Sequence, residues 1–137
     1  MIGSLISDKE IVYNPRLRQH ASLEDMKDQS ILQYYSHSYD LHHKKNGTFK
    51  VNTQTKKQLI KDIEKEKELV SIKYYAYPYG KYNENIQNVL RTYDVALAFS
   101  YNENKKASRN DDPYALPRFN INAYTTIDVF QSMLESY

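Results

Sequence analysis

Cysteine and tryptophan are both missing from the 137 residues of this chain. Without cysteine the chain has no disulfides and no thiolate chemistry, so any metal site must use histidine, carboxylate and water ligands. An excess of charge of one sign is also lacking, because 19 basic residues face 17 acidic residues and the formal net charge is +2. This charge balance gives no field strong enough to imply nucleic acid or an anionic membrane, and we expect no nucleic-acid partner.

Long hydrophobic runs are missing as well, because charged residues interrupt every apolar stretch before the roughly 18 residues that a membrane span needs. We therefore expect no membrane span. The opening segment 1–7 is too short for the apolar part of a signal peptide, lacks a basic lead, and runs directly into Asp8. From this segment we expect a chain that is not exported and stays in the cytoplasm.

Tyrosine is the residue that this chain has in excess, with 14 copies. Its ring stacks on other rings and its hydroxyl forms hydrogen bonds, so a tyrosine-rich surface suits a carbohydrate partner. The alternative, that the tyrosines are ordinary core residues, is equally consistent with the composition.

The length and the order of the sequence patterns predict one α/β domain, since a single domain commonly takes roughly 100–200 residues. Residues 53–69 repeat apolar side chains at helical spacing among lysines and glutamates, which predicts an amphipathic surface helix. Residues 70–77 are rich in β-branched and aromatic residues and lead into Pro78 and Gly80, which predicts a strand followed by a turn.

A second helix and strand follow in the same order. Asn83 or Asn85 can cap a helix whose apolar residues fall at the i, i+3, i+4 and i+7 spacing. Residues 95–99 are a continuous apolar run, too short for a helix and typical of a parallel strand that is buried on both faces. Further candidates are strands at 1–6, 31–35 and 119–121, a short helix or turn from Ser22, and a final helix capped by Thr125 or Thr126.

Strands that alternate with helices at this spacing predict right-handed β-α-β units and a parallel sheet or barrel. A closed barrel of eight such units takes roughly 250 residues, so the chain accounts for about half of one. The predicted fold class is therefore α/β, a partial, distorted parallel β/α barrel formed by residues 1–137 as a single truncated domain. A half-barrel leaves an open sheet edge, from which we expect self-association.

Three of the four histidines lie within residues 37–43, directly after the strand predicted at 31–35. In β/α barrels the carboxyl ends of the strands carry the active site. A loop or helix start can bring His37 and His42 together as neutral imidazole ligands of zinc or a similar ion, with open positions for water and substrate. An ordinary surface or capping role for the pair is the alternative, and His43 is better explained as a neighbour than as a ligand.

The segment at 75–80 reads Tyr-Ala-Tyr-Pro-Tyr-Gly and follows the next predicted strand. Pro78 fixes its φ angle and Gly80 permits a tight turn, so the backbone N–H of Tyr79 could point into a pocket as an oxyanion donor. A simple turn that ends the strand is the alternative.

Taken in order, three segments resemble the later motifs of the polysaccharide deacetylases of carbohydrate esterase family 4. They are Ser-His-Ser-Tyr-Asp-Leu-His at 36–42, Tyr-Ala-Tyr-Pro-Tyr-Gly-Lys-Tyr-Asn at 75–83, and Asp-Pro-Tyr-Ala-Leu-Pro-Arg at 112–118. The resemblance is closest to the intercellular-adhesin branch, which acts on poly-N-acetylglucosamine in bacterial biofilms. It covers the chain from about Ile31 to the C-terminus, so it implies the C-terminal half of the polysaccharide deacetylase fold.

The resemblance implies a hydrolase of the extracellular space or cell surface that acts on a non-peptide carbon–nitrogen bond, removing N-acetyl groups from a β-linked N-acetylglucosamine polymer. It implies a divalent metal, with zinc as the expected ion, held by one aspartate and by the two histidines that match His37 and His42. It also implies that a second aspartate is the general base and that the N–H of Tyr79 stabilises the oxyanion. The positions matched to substrate binding are Tyr77, Pro78, Gly80 and Arg118, the last of which either orients active-site carboxylates or forms a structural ion pair.

Departures from the family pattern bear on activity. The family's first motif, Thr-Phe-Asp-Asp or similar, stands upstream of the histidines, whereas no such pair precedes His37 and the Asp111–Asp112 pair follows the last apolar strand. The resemblance thus implies that the metal aspartate and the base are missing, which impairs turnover by this chain alone. Ala76 also stands where many members carry an arginine. The alternative function is a catalytically inactive remnant that acts as a carbohydrate-binding or protein-binding module.

Overall fold

The structure is a computed structural model that describes residues 33–101 and 105–135. The strand predicted at 1–6, the helix or turn predicted from Ser22 and the first two residues of the strand predicted at 31–35 lie outside the described residues. In chain order the elements are β1 (Tyr35–Ser36), β2 (Lys44–Lys45), β3 (Thr48–Phe49), α1 (Lys50–Thr53), α2 (Lys56–Lys67), β4 (Ser71–Ala76), a 3₁₀ turn (Pro78–Gly80), α3 (Glu84–Thr92), β5 (Leu97–Phe99) and α4 (Ile127–Glu135).

Helices α2 and α3 begin where the sequence supplies caps. At α2 the Thr55 side chain accepts a hydrogen bond from the N–H of Gln58, and the Gln58 side chain accepts one from the N–H of Thr55. At α3 the Asn83 side chain accepts a hydrogen bond from the N–H of Ile86 at 3.1 Å. Both predicted helices are confirmed, and Asn83 is the residue that caps the second one.

Strands β1, β4 and β5 form one parallel sheet in the order β1-β4-β5. Ser36 of β1 and Ala98 of β5 both pair with Tyr75 of β4, so the carboxyl ends of the three strands lie at the same edge. The strands predicted at 70–77 and 95–99 are confirmed. Between β1 and α1 the chain also forms an antiparallel hairpin of β2 and β3, which the sequence patterns did not predict.

The two faces of the sheet have different surroundings. Parallel crossovers of this kind are right-handed, which places α2 and α3 on one face, where they pack against each other in a single core cluster. That cluster contains Leu41, Val51, Leu59, Ile63, Tyr75, Tyr77, Ile86, Val89, Leu90, Val95 and Ala98. On the opposite face, half-buried Tyr35, Tyr74, Leu97 and Phe99 line a cavity.

The outer edge of β5 is covered by the segment 113–116. The N–H of Ala98 donates to the carbonyl of Pro113 at 2.8 Å, and the carbonyl of Ala98 accepts from the N–H of Leu116 at 2.9 Å. The prediction of a strand at 119–121 is wrong, because the edge that such a strand would join is already occupied by the preceding segment.

The final helix, α4, forms as predicted, and the Thr126 hydroxyl accepts a hydrogen bond from the N–H of Val129 at 3.3 Å. None of its described residues is buried. In the described part of the chain, every helix is too short or too polar to cross a membrane. The α/β class and the parallel sheet are confirmed, whereas closure into a partial barrel stays a prediction.

Candidate active site

A cavity of about 840 Å³ opens at the carboxyl edge of the sheet. The residues that line it and that the sequence had singled out are His37, His42, Tyr77, Tyr79, Gly80 and Arg118. Pro78 is buried and is not part of the lining. Three separate stretches of sequence, each following a different strand, therefore meet at one place.

His37 follows β1 and is held by the neighbouring strand. Its Nδ1 lies 2.6 Å from the backbone carbonyl of Ala76, the last residue of β4. A carbonyl can only accept, so Nδ1 carries the proton and Nε2 keeps a free lone pair. Burial lowers the pKa of His37 to about 4, so the ring is neutral near pH 7 and can act as a ligand or a base.

His42 lies beside this ring, with the two imidazole centroids 5.1 Å apart. Its other neighbour is the ring of Tyr79, which stacks on it at 4.0 Å, and the Tyr79 hydroxyl donates to the His42 carbonyl at 3.3 Å. Burial lowers the pKa of His42 as well. His43, by contrast, is exposed and lies 2.7 Å from the carboxylate of Asp40, outside the cavity lining.

The two rings have the spacing that a shared metal ion requires. A tetrahedral ion about 2.0–2.1 Å from each ligating nitrogen holds two imidazole centroids roughly 5 Å apart, and His37 and His42 are 5.1 Å apart. Within residues 33–101 and 105–135, no group of three or more histidine, cysteine, aspartate or glutamate side chains is arranged to hold a metal. The described residues therefore offer two imidazoles whose spacing is compatible with one shared ion, and they supply no third side chain.

The turn after β4 has a backbone conformation that L-residues seldom adopt. Tyr79 has φ 54° and ψ 15°, and Gly80 follows with φ 64°. The turn is closed by hydrogen bonds from Gly80 N–H to the Tyr77 carbonyl at 2.8 Å and from Lys81 N–H to the Pro78 carbonyl at 3.0 Å. The N–H of Tyr79 has no acceptor among the described residues, so it is available to a ligand.

Arg118 reaches the cavity from the segment beyond β5. Its Nε donates to the carbonyl of Ser100 at 2.6 Å, which ties the guanidinium to the end of β5. Half-burial lowers the pKa of Arg118, and no carboxylate of the described residues pairs with it. The guanidinium can therefore donate hydrogen bonds to a carboxylate or another oxygen ligand that does not belong to the described residues.

Tyrosines occur both in the core and on the cavity lining, and Tyr75 and Tyr77 belong to both. Tyr75 and Tyr77 are fully buried in the core cluster, and the Tyr77 hydroxyl donates to the carbonyl of Tyr114. Tyr35 and Tyr74 line the cavity and pack edge to face, with their centroids 4.8 Å apart, and Tyr101 lies on the same lining. The interpretation as core residues is thus confirmed for Tyr75 and Tyr77, whereas a carbohydrate-facing role of the lining tyrosines stays a prediction.

The sequence patterns missed two carboxylates that contact the histidine loop, which is the segment 36–42 that carries His37 and His42. Glu66 on α2 is fully buried and accepts hydrogen bonds from the Ser36 hydroxyl at 2.5 Å and the His37 N–H at 2.9 Å. Asp62, one turn earlier, accepts from the N–H groups of Tyr39 and Asp40. Burial raises the pKa of both groups, that of Glu66 to about 7. Glu66 could have been noticed in the sequence, because it is an acidic residue on the apolar stripe of α2, three residues beyond Ile63.

Comparisons with known proteins bear on this site. The profile of the polysaccharide deacetylase family matches residues 1–98. The poly-beta-1,6-N-acetyl-D-glucosamine N-deacetylase of Staphylococcus aureus strain MSSA476 is 26% identical over 136 residues, which cover 94% of this chain and 45% of that protein. The protein of the same name from strain MRSA252 is 25% identical with the same coverage. The chain thus spans less than half the length of these curated relatives.

A similar fold occurs among solved structures. A de-N-acetylase from Aggregatibacter actinomycetemcomitans superposes with a TM-score of 0.60, covering 82% of this chain and 53% of the other. The sequence identity is 15%, so this likeness concerns the fold.

Proposed function

Because this chain belongs to the polysaccharide deacetylase family, we propose that it serves the hydrolytic removal of N-acetyl groups from a β-linked N-acetylglucosamine polymer. The observation that carries the proposal is the meeting of two neutral imidazoles and the turn at 77–80 in one cavity. The activity named for the staphylococcal relatives supports this choice of substrate.

In this proposal His37 and His42 are two ligands of a divalent ion, with zinc as the expected one. Their neutral state and their spacing of 5.1 Å support the assignment. When bound, such an ion polarises an acetamide carbonyl and lowers the pKa of a water molecule. The bond from His37 Nδ1 to the Ala76 carbonyl fixes the tautomer, so that Nε2 is the ligating atom.

The other cavity residues bind and orient the substrate. The N–H of Tyr79 donates a hydrogen bond to the oxygen of the acetamide carbonyl as it becomes an oxyanion. Tyr77, Pro78 and Gly80 hold the turn that presents this N–H. Attack of water on the carbonyl carbon forms a new carbon–oxygen bond. Cleavage of the carbon–nitrogen bond then releases acetate, and the sugar nitrogen takes up a proton from that water and leaves as a free amine. Lining tyrosines such as Tyr35 give the sugar rings an aromatic surface.

The general base and a carboxylate ligand are not among the described residues. Asp62 and Glu66 use both of their oxygens on the histidine loop, and Asp112 is exposed on the far side of β5, next to Arg91. Because no Asp-Asp pair precedes His37 in the sequence, we propose that turnover by this chain alone is impaired, since loss of one catalytic partner costs orders of magnitude in rate.

The second candidate function is an inactive carbohydrate-binding module. The aromatic lining of a large open cavity supports it, together with the lack of a third metal ligand in the described part of the chain. It requires sugar binding without acetate release.

The test is calorimetric titration of zinc into the wild-type protein, His37→Ala and His43→Ala, with acetate release measured on an N-acetylglucosamine oligomer. His43 is the matched control, because it is adjacent in sequence to His42 but exposed and bonded to Asp40. We expect zinc affinity to fall about tenfold or more for His37→Ala and to stay unchanged for His43→Ala.

Equal zinc affinity in the wild-type protein and His37→Ala would remove the ligand assignment. Slow acetate release that requires zinc would support the impaired enzyme, whereas oligomer binding without any release of acetate, with or without added zinc, would favour the binding module.

A further inference from the structure

The loop that carries both histidines is held mainly by side chains, beside its strand pairing at Ser36 and one backbone hydrogen bond from the His43 N–H to the Leu41 carbonyl. It runs from Ser36 to His42 and passes through Ser38, which has the left-handed φ of 73° that non-glycine residues seldom adopt. Such a conformation persists only where the surroundings determine it. In this loop the surroundings are two carboxylates of α2.

Each carboxylate binds the loop with both oxygens. Glu66 accepts from the Ser36 hydroxyl through Oε2 at 2.5 Å and from the His37 N–H through Oε1 at 2.9 Å. Asp62 accepts from the N–H of Tyr39 through Oδ2 at 3.0 Å and from the N–H of Asp40 through Oδ1 at 2.8 Å. Two carboxylates one helical turn apart thus fix four donors, two on each side of Ser38.

We propose that Asp62 and Glu66 are positioning residues that hold the loop so that the rings of His37 and His42 face one point in the cavity. The inference rests on the proposed metal-binding function, and it adds the residues that make the ligand pair converge. Glu66 fixes the backbone of His37 while the Ala76 carbonyl fixes its ring. With both ends held, the direction of Nε2 is determined before any ion binds.

The position of Glu66 in the core supports a role beyond packing. Leu59 and Ile63 occupy the same stripe of α2 and belong to the core cluster. An apolar side chain at position 66 would continue that cluster without taking a carboxyl group out of water. The carboxyl group has a use here only if the loop donors need its two oxygens.

The first test is made on the metal-free protein by NMR. The variants are Glu66→Leu, which removes both acceptors, Glu66→Gln, which keeps one, and Glu68→Leu, a control at an exposed position next to the end of the same helix. For Glu66→Leu we expect amide exchange of His37 to be about tenfold faster or more, and we expect loss of the ring-to-ring contact with His42. Glu66→Gln should fall in between, and Glu68→Leu should match the wild type.

The second test is zinc titration of the same variants, with thermal unfolding to show that each is folded. Removing a residue that orients a metal ligand typically weakens metal binding about 10–100-fold, and we expect this range for Glu66→Leu. If Glu66→Leu fails to fold, Glu66→Gln and Asp62→Asn carry the test with smaller effects of the same sign.

The two proposals fail in different ways. An unchanged ring-to-ring contact and unchanged amide exchange in folded Glu66→Leu overturn the positioning role, whether or not zinc binds. Unaltered zinc affinity in Glu66→Leu, with His37→Ala impaired, also overturns it. Absence of zinc binding in the wild type instead removes the proposed function.

Discussion

Folding strongly raises the pKa of the Glu66 carboxyl group. Burial raises the pKa of its carboxyl group from the ordinary 4.5 to about 7. Between these pH values the folded protein keeps a proton that the unfolded chain releases, so the free energy of unfolding falls as pH rises through this window. In metal-free protein, the wild type should lose on the order of 2 kcal/mol relative to Glu66→Gln between about pH 5 and pH 8. Urea unfolding at several pH values measures this difference.

His37 titrates in the opposite sense, which is why the comparison must be between variants. Burial lowers its pKa from 6.5 to about 4, so the unfolded chain binds the extra proton and stability rises with pH through that window. The two groups partly cancel in the wild-type curve. A difference between wild type and Glu66→Gln that does not vary with pH would show that Glu66 titrates normally.

Gly80 is the residue of the turn that tolerates a side chain least. Its φ is 64°, and an added Cβ would overlap the backbone nitrogen and Cβ of Tyr101 and come within 2.8 Å of its Cα. Gly47 is a matched control, because its φ is 77° and its added Cβ meets nothing within 4 Å. We expect Gly47→Ala to cost about 1 kcal/mol from backbone strain and Gly80→Ala about 3 kcal/mol or more. Denaturant unfolding of the two variants checks this, and equal losses would contradict the overlap with Tyr101.

Among the elements, those with strong local signals could be predicted from the sequence. Helices α2 and α3 have both a periodic apolar stripe and a capping side chain, and 95–99 is an apolar run bounded by polar residues. The β2–β3 hairpin has a local signal that the predictions overlooked, because Asn46 and Gly47 between its strands both adopt the positive φ of a tight hairpin turn. Of the described part of the strand predicted at 31–35, only Tyr35 belongs to β1, because this short strand depends on its pairing with β4. The stretch 119–121 has strand-like residues, but the edge of β5 that it would join is already paired with the segment 113–116.

The candidate site, like the fold, could be predicted from the sequence only in part. The three motifs predicted the family, which is confirmed, and they named residues that do line one cavity. The contacts of Asp62 and Glu66 could not be predicted, because their partners are three backbone N–H groups and the Ser36 hydroxyl, all more than 20 residues away in the chain. Backbone donors leave no trace in a sequence pattern.

The cap of α3 can be tested with a pair of asparagines. The side chain of Asn83 accepts from the Ile86 N–H at 3.1 Å, whereas Asn85 lies in the first turn and is exposed. We expect Asn83→Ala to lower the free energy of unfolding by about 1 kcal/mol, and Asn85→Ala to leave it unchanged or raise it slightly. Thermal or urea unfolding measures both. The assignment of the cap is wrong if Asn85→Ala costs as much as Asn83→Ala.

At the scale of the whole molecule, the segment 113–116 closes one side of the sheet. It pairs with Ala98 of β5, the Tyr77 hydroxyl donates to the carbonyl of Tyr114 at 2.8 Å, and the Tyr114 hydroxyl donates to the carbonyl of Val95 at 2.8 Å. In the described part of the chain, β1 by contrast is paired only on the side that faces β4. Self-association through a sheet edge stays a prediction, and within residues 33–101 and 105–135 the edge of the three-stranded sheet that is left for it is that of β1.

Two truncations separate the part of the C-terminal region that supports the sheet from the part that does not. Deleting 119–137 removes α4, none of whose described residues is buried, and keeps both the cover of β5 and Arg118. We expect the free energy of unfolding of this truncated protein to lie within about 1 kcal/mol of that of the full chain.

Deleting 111–137 also removes the partners of Ala98 and of the Tyr77 hydroxyl. Because buried polar groups are then left unpaired and the β5 edge is exposed, we expect a loss of about 3 kcal/mol or more, together with aggregation. Urea unfolding of the two truncated proteins measures the loss of stability, and sedimentation measures the aggregation. If the longer deletion were as stable and as monodisperse as the shorter one, the segment 113–116 would be a passive covering, and the sheet would be held by its helix-covered face alone.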